Sequence, residues 1–253
     1  MTKSLRSPLD HPVLSGGLFY PWANPFKDPF YVQCDGFHLG CRYRKISSDA
    51  PTIIHFHGNG ETVADYVGEF EEKIVSLGAN LLLAEYRGYG MSSGTPALVS
   101  MLADVEKIVK ASGVDPKNII FFGRSLGSIY AVHGAGLFPQ AAGLIIESGI
   151  ADPLERTLVR VEPWQVGTDL AGLKEAVDRD LDQRSKLASF QGRTLVMHTR
   201  NDDLLDVSHA ERLYGWANEP KQLIIFERGD HNNIMTVNKI AYLEAVEAMI
   251  RKQ

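Results

Sequence analysis

The sequence predicts an α/β fold in which one doubly wound, mostly parallel sheet is covered by helices on both faces. Short apolar runs alternate with amphipathic helical segments, which is typical of successive strand–helix–strand units. The 253 residues are 44% hydrophobic and 23% charged, close to the average for globular proteins. Right-handed crossovers between parallel strands then give one domain over residues 1–253.

A β-hairpin is predicted near the N-terminus, after a proline-rich segment (1–29) that is expected to be irregular and lacks the apolar stretch of a signal peptide. Two β-like runs, 31–34 and 37–45, flank an Asp-Gly turn. That turn separates the two cysteines, Cys34 and Cys41, by about four residues along the ladder, roughly 13 Å. Because a disulfide requires Cα atoms within about 7 Å, we expect free thiols and a reducing compartment, the cytoplasm.

The remaining elements follow from the spacing of apolar residues. Further strands are predicted at 52–56, 80–85, 118–122, 143–147, 194–198 and 222–226. Helices are predicted where apolar residues recur every three or four positions, at 62–77, 101–109, 126–137, around 210–216 and at 240–250.

One interval interrupts this alternation. About 46 residues separate the strand at 143–147 from that at 194–198, whereas a crossover needs about a dozen. Residues 151–179 contain charged helical stretches and Trp164. Because long insertions in compact domains are usually functional, we predict a small helical cap over the site at about 151–179, here named the cap segment. The alternative is a surface helix pair without substrate contact.

The charge pattern excludes some classes of partner. The net charge is −5, and the 26 Lys and Arg residues are spread along the chain without a basic run. We therefore expect no nucleic-acid partner. No run of 18 apolar residues occurs, so no integral membrane association is expected either. The pattern leaves the oligomeric state unknown.

The candidate nucleophile is Ser125. Residues 118–127 (NIIFFGRSLG) predict a buried strand, a sharp turn and a helix, which is the context that a G-x-S-x-G nucleophile elbow requires. Gly123 and Gly127 lack a Cβ atom, so neighbouring backbone can pass close to the turn. The helix N-terminus directs N–H groups toward a developing oxyanion. The alternative is a tight strand–helix turn that happens to contain serine.

A serine nucleophile requires a base, and His231 is the candidate. In this arrangement the chain order is Ser, then Asp or Glu, then His. Of the eight histidines, only His231 lies on a loop after a predicted strand and C-terminal to both Ser125 and an acidic loop.

The acid is predicted to be Asp202, in the loop at 199–206 (TRNDDLLD). Asp203 is an alternative, and Asp206 is expected to be the N-cap of the next helix. Glu147 and Asp152 remain candidates because an acid after the preceding strand is a known variation.

The oxyanion hole is predicted to use two backbone N–H groups, those of Leu126 and Asn59. Asn59 lies in a glycine-rich loop (57–60, HGNG) after an early strand, with Gly60 as the second choice. The glycines also suggest a dinucleotide fingerprint, but Val63 occupies the place of its third glycine. No cofactor and no metal are therefore expected.

The motifs 57–60 (HGNG), 86–92 (YRGYGMS), 123–128 (GRSLGS) and 229–232 (GDHN) occur in the order found in the α/β-hydrolase superfamily. Their wording resembles the Bem46-like serine hydrolases, including the alpha/beta hydrolase domain-containing proteins 13 and 17. The resemblance extends from about residue 52 to the C-terminus. It implies the α/β-hydrolase fold with an eight-stranded sheet, and it supports Asp202 as the acid.

The resemblance also implies esterase, thioesterase or lipase-like activity without a cofactor, on a small-molecule acyl substrate. Some relatives carry an N-terminal membrane anchor or a palmitoylated cysteine cluster, and since this sequence shows neither, membrane-bound depalmitoylation is not expected. Amidase or aminopeptidase activity would be favoured by a carboxylate or cation anchor in the pocket. A non-catalytic ligand-binding protein on the same scaffold is the remaining alternative. Residues 86–90 either shape the pocket or form a structural turn after a strand.

Overall fold

The computed structural model describes residues 7–251. Within this range the strands form one eight-stranded sheet in the order β1-β2-β4-β3-β5-β6-β7-β8. The strands are β1 (Phe30–Cys34), β2 (Phe37–Arg44), β3 (Thr52–Phe56), β4 (Asn80–Ala84), β5 (Ile119–Arg124), β6 (Gly143–Glu147), β7 (Arg193–Thr199) and β8 (Lys221–Phe226). β2 pairs antiparallel with β1 and β4, and all other pairs are parallel. The predicted doubly wound, mostly parallel sheet is confirmed.

Helices cover both faces of the sheet. They are α1 (Pro12–Leu18), α2 (Val63–Tyr66), α3 (Glu69–Ser76), α4 (Leu102–Ser112), α5 (Gly127–Leu137), α6 (Pro153–Leu158), α7 (Leu170–Asp180), α8 (Gln183–Ser189), α9 (Ser208–Trp216), α10 (Ile234–Val237) and α11 (Lys239–Ile250), with 3₁₀ turns at Pro8–Asp10, Pro116–Asn118 and Pro163–Val166. Across residues 7–251, every helix is too short or too polar to span a bilayer.

The hairpin has the register that its two-residue turn dictates. Cys34 lies opposite Phe37, and Cys41 lies opposite Phe30. Both cysteines are free thiols, and Cys41 is buried. The prediction of unpaired thiols is confirmed.

Two predictions about helices are wrong. The helix expected at 62–77 is divided into α2 and α3, because Gly68 between them has φ 101°, a left-handed conformation that an α-helix cannot continue through. The segment 1–29 is not wholly irregular, since α1 begins at Pro12 and buries Leu14, while residues 1–6 of that segment lie outside the described range. Proline at the first helical position, which needs no hydrogen-bonded N–H, is the signal that could have indicated α1.

The core lies on both faces of the sheet. Along β3, Ile53 packs on one face and Ile54 on the other, and both are fully buried. The same alternation continues along β5 with Phe121 and Phe122. This two-sided burial explains why the parallel strands are continuous apolar runs in the sequence. It also leaves the loops at the carboxyl ends of the strands as the place where polar side chains can converge.

Candidate active site

Ser125 lies at the turn between β5 and α5. Its backbone has φ 51°, a left-handed conformation that is unusual for a residue with a side chain, and its N–H donates to the carbonyl of Glu147 over 2.9 Å. A Cβ atom at Gly127 would lie 2.0 Å from the carbonyl oxygen of Phe56, so only glycine allows β3 to pass this closely. The sharp, strained turn that the motif predicts is therefore present.

A continuous chain of hydrogen bonds links Ser125, His231 and Asp202. The Oγ atom of Ser125 lies 2.9 Å from Nε2 of His231, and Nδ1 of His231 lies 2.7 Å from Oδ2 of Asp202. Because a carboxylate only accepts, Nδ1 carries the proton, which leaves Nε2 free to accept the Ser125 hydroxyl. His231 is buried, with 4% of its surface exposed, and Ser125 is half-buried. The arrangement matches a nucleophile, a base and an orienting acid.

Asp202 is held in place by its own loop. Its Oδ1 atom accepts the N–H of Leu204 over 3.0 Å and that of Leu205 over 2.8 Å, while Oδ2 faces His231. Burial opposes ionisation of Asp202. The hydrogen bond and charge of His231, together with the two N–H groups, outweigh burial and lower the pKa of the Asp202 carboxyl from its ordinary value. The site thus keeps an anion beside the imidazole.

The other acids of the same loop do not reach the imidazole. Asp203 is exposed and makes no hydrogen bond with His231. Asp206 accepts the N–H of Ser208 over 3.0 Å. The helix begins one residue later than expected, so its N-cap is Val207, and the N-cap prediction for Asp206 is wrong. The Asp206 carboxylate nevertheless satisfies a helix N–H, as a capping side chain would.

The two candidates near β6 have other partners. Glu147 accepts the hydroxyl of Tyr242 over 2.5 Å and lies 3.2 Å from Nε of Arg124. Asp152 is the N-cap of α6 and accepts the N–H of Glu155 over 3.0 Å. The structure therefore brings only Asp202, among the acids considered, into contact with His231.

Leu126 and Asn59 border the same cavity as Ser125. Within residues 7–251 neither N–H donates a hydrogen bond to the protein. Unpaired N–H groups beside a nucleophile are what an oxyanion hole requires. The Asn59 side chain is fixed, since Nδ2 donates to the carbonyl of Leu18 over 2.5 Å and Oδ1 accepts the hydroxyl of Tyr89 over 2.9 Å.

His57 stabilises the loop that carries Asn59. Its Nε2 atom lies 2.6 Å from Oε1 of Glu85, and Nδ1 lies 2.8 Å from the carbonyl oxygen of Gly58. Burial lowers the pKa of His57, but the charge and hydrogen bond of Glu85 and the Gly58 carbonyl raise it more, so the pKa lies above its ordinary value. A protonated ring donates to both oxygens. Tyr86 also contacts this loop, because its hydroxyl donates to the His57 carbonyl over 2.6 Å.

Residues 86–90 therefore contact the site indirectly, through the loop at 57–60. Tyr86 and Tyr89 bind the loop at 57–60, and neither borders the cavity. The contacts of residues 86–90 fit the expectation of a structural turn after a strand better than that of a segment shaping the pocket.

Arg124 connects three parts of the site. Its guanidinium pairs with Glu61, lies 3.2 Å from Glu147, and donates to the backbone carbonyl of His231 over 2.8 Å. Its side chain is largely buried, with 10% exposed. Arg124, at the variable position before Ser125 in the G-x-S-x-G motif, thus binds the loop that carries His231.

The cavity beside Ser125 has a volume of about 350 Å³. Two further segments contribute to its wall: the cap segment, which the sequence analysis assigned to the site, and the N-terminal segment, which it did not. Leu18 and Tyr20 come from the N-terminal segment, and Arg156 and Arg160 come from the cap segment. No local motif marks these four residues, and their approach depends on contacts between distant parts of the chain. Charged residues in the cap segment were the one available signal.

Comparison with known proteins shows similarity to α/β-hydrolases. The alpha/beta hydrolase domain-containing protein 17B of Homo sapiens is 27% identical over 247 residues, which cover 92% of this chain and 80% of that protein. The chain is similar to α/β-hydrolases in sequence and has their fold. An esterase from Exiguobacterium antarcticum has the same fold, with a TM-score of 0.67 and 15% identity over 89% of this chain and all of that one. No family model matches.

A second relative of this α/β-hydrolase is the uncharacterized protein YfhR of Escherichia coli O157:H7. It is 29% identical over 187 residues, which cover 71% of this chain and 62% of that protein. The matched region thus spans less than two thirds of that relative's length. The predicted resemblance to the alpha/beta hydrolase domain-containing proteins 17 is confirmed.

Proposed function

We propose that the protein is a serine hydrolase that cleaves a carboxylic ester or thioester through an acyl-enzyme on Ser125. The observation that carries the proposal is the uninterrupted chain of hydrogen bonds from Ser125 through His231 to Asp202. Similarity to α/β-hydrolases, among them an esterase of the same fold, supports hydrolytic chemistry.

The first half-reaction acylates the serine. His231 takes the proton of Ser125 as Oγ bonds to the acyl carbon, and Asp202 stabilises the imidazolium that forms. The N–H groups of Leu126 and Asn59 donate to the developing oxyanion, and each contributes about 3 kcal/mol of barrier lowering. The bond to the leaving group then breaks, and the imidazolium returns its proton to the departing oxygen or sulfur.

The second half-reaction releases the acid. Water enters where the leaving group was, and His231 takes its proton as the water oxygen bonds to the acyl carbon. Collapse of the intermediate breaks the ester bond to Ser125, which recovers its proton from the imidazolium. The half-buried position of Ser125 leaves it accessible from the cavity. That cavity is near the lower end of ligand-site volumes, about 300–1,000 Å³, and favours short or medium acyl groups.

The second candidate is an amidase on the same three residues. A charged anchor in the pocket favours it, and Arg156 and Arg160 border the cavity. An aminopeptidase needs a carboxylate for the substrate amine, but the carboxylate in the wall, Glu61, is already paired with Arg124. The arginines instead suit a substrate with an acidic end. Comparing a 4-nitrophenyl ester with the 4-nitroanilide of the same acid separates the two activities.

The test is intact-mass measurement after reaction with a fluorophosphonate probe. We expect one adduct on the native protein, mapped to the peptide with Ser125, and almost none in Ser125→Ala or His231→Ala. Ser76→Ala is the matched control, because Ser76 is exposed on α3 and should leave labelling unchanged. A folded native protein without an adduct would contradict the proposal and favour the non-catalytic alternative. An adduct that persists in Ser125→Ala would show that another residue is the nucleophile.

A further inference from the structure

The charges around the cavity beside Ser125 do not balance. The Asp, Glu, Lys and Arg side chains in its wall are Glu61, Arg124, Arg156 and Arg160. Glu61 pairs with Arg124, and it also accepts the N–H of Gly58 over 2.6 Å. The charges of Glu61 and Arg124 in the wall therefore neutralise each other.

Arg156 and Arg160 have no such partner. Within residues 7–251, no carboxylate forms an ion pair with either guanidinium. Asp152 and Glu155, the acids beside Arg156 in the sequence, both pair with Arg212 on α9, at 3.4 Å and 3.7 Å. Glu162, two residues after Arg160, is exposed and forms no ion pair with it. Asp152 and Glu155 therefore pair with a residue outside the wall of this cavity.

The two arginines share the cavity wall with apolar side chains. Arg156 is half-buried on α6, and Nη1 of Arg160 donates to the hydroxyl of Tyr20 over 3.3 Å. The apolar part of the wall consists of Leu18, Leu126, Ile150, Leu204 and Leu205. An acyl chain can pack on these side chains while an anion at its end reaches the guanidinium groups.

We propose that this cavity binds acyl substrates that carry an anionic group, and that Arg156 and Arg160 bind that group. The inference rests on the proposed hydrolase function and names its substrate class. Guanidinium groups bind carboxylate and phosphate through paired, charge-assisted hydrogen bonds, which are stronger than those between neutral groups. A substrate anion also supplies the counter-charge that the half-buried Arg156 lacks.

The anion could belong to the acyl chain, as a terminal carboxylate, or to the leaving group, as a phosphate. A volume of about 350 Å³ suits a short dicarboxylic half-ester better than a large phosphorylated leaving group. The acyl carboxylate is therefore the expected source, and the experiment separates the two.

The experiment compares substrates of equal acyl length. The first pair is 4-nitrophenyl pentanoate and mono-4-nitrophenyl glutarate, with spontaneous hydrolysis subtracted. The second pair is the pentanoyl thioester of 4′-phosphopantetheine and that of pantetheine, which differ only in the phosphate of the leaving group. We expect kcat/KM for the glutarate to exceed that for the pentanoate by about 10-fold or more, because a hydrogen bond between a guanidinium and a carboxylate changes affinity by about this factor.

The double variant Arg156→Gln/Arg160→Gln should reduce the glutarate-to-pentanoate ratio toward one. Arg179→Gln is the matched control: Arg179 lies on α7 of the same cap, pairs with Asp180 and does not border this cavity. A ratio that stays high in the double variant overturns the proposal, as does a native protein that shows no preference in either pair. A preference only in the thioester pair assigns the anion to the leaving group.

A binding measurement keeps this inference separate from the proposed hydrolysis. Calorimetry with Ser125→Ala and monoethyl glutarate needs no turnover. We expect binding that weakens about 10-fold when Arg156→Gln and Arg160→Gln are added, and little binding of ethyl pentanoate. Equal affinity with and without the arginines overturns the anion site, whereas unlabelled Ser125 in the native protein would contradict only the hydrolase.

Discussion

Nη2 of Arg124 donates a 2.8 Å hydrogen bond to the backbone carbonyl of His231, 107 residues further along the chain. The residue beside the nucleophile thereby fixes the loop that carries the base. The same guanidinium is the counter-ion of Glu61 and Glu147. Ser125 and His231 therefore depend on one buried cation for their relative position.

Arg124→Met should lower both stability and kcat. It removes the cation between two carboxylates and releases the His231 carbonyl. Breaking a buried ion pair from one side costs about 3–5 kcal/mol, and we expect that loss in the free energy of unfolding, measured with urea. Arg200→Met is the control, because its pair with Glu227 is largely exposed and such pairs contribute little. Equal effects of the two substitutions would contradict the role of Arg124.

Asp202→Asn should reduce kcat by roughly 10⁴-fold with little change in KM or stability, as loss of the orienting acid does in a serine protease. The amide keeps the size of the side chain but presents a donor or a neutral acceptor to Nδ1 of His231. Steady-state kinetics on an activated ester measure the effect. The exposed neighbour Asp203 is the matched control, and Asp203→Asn should retain activity. The opposite result would transfer the acid role to Asp203.

His57→Gln should destabilise the protein in a pH-dependent way. The pKa of His57 is raised in the folded protein, because Glu85 and the Gly58 carbonyl outweigh the opposing effect of burial. The protonated ring therefore contributes stability that is fully present below the unfolded pKa of about 6.5 and is lost as pH rises through the folded pKa. The difference in unfolding free energy between native protein and variant should be largest near pH 6 and shrink above the folded pKa.

Glu85→Gln provides the comparison for His57. It removes the charge that raises the pKa of His57, so most of the pH dependence should disappear in this background. If the difference between the native protein and His57→Gln is constant with pH, the pKa of His57 is the same in the folded and unfolded protein and the prediction is wrong.

Gly127→Ala should destabilise the protein and abolish activity. The new Cβ atom would lie 2.0 Å from the Phe56 oxygen, so β3 and the nucleophile turn must separate. Gly215→Ala is the opposite case, because Gly215 is an exposed residue of α9 with open space where its Cβ would be. It should raise the unfolding free energy by about 0.5–1 kcal/mol through helix propensity. Thermal unfolding of the pair distinguishes close approach from a general effect of removing glycine.

The sequence alone determined the sheet and the local parts of the site. Strands buried on both faces are continuous apolar runs, so β3 and β6 were predicted with their observed bounds. The hairpin register followed from a two-residue turn. Ser125 was predicted from the order of strand, glycine turn and helix, which is a local signal. The candidate roles of Ser125, His231 and Asp202 remain predictions until activity is measured.

Only the tertiary structure decided which distant side chains meet. Asp202 and Asp203 are adjacent in sequence, and the turn that offers Leu204 and Leu205 N–H groups to Asp202 directs only that carboxylate toward the imidazole. Arg156 and Arg160 reach the cavity through packing of the cap segment, which no periodicity encodes. Apolar periodicity reports which face of an element is buried, whereas the partner of a polar side chain depends on contacts between residues far apart in the chain.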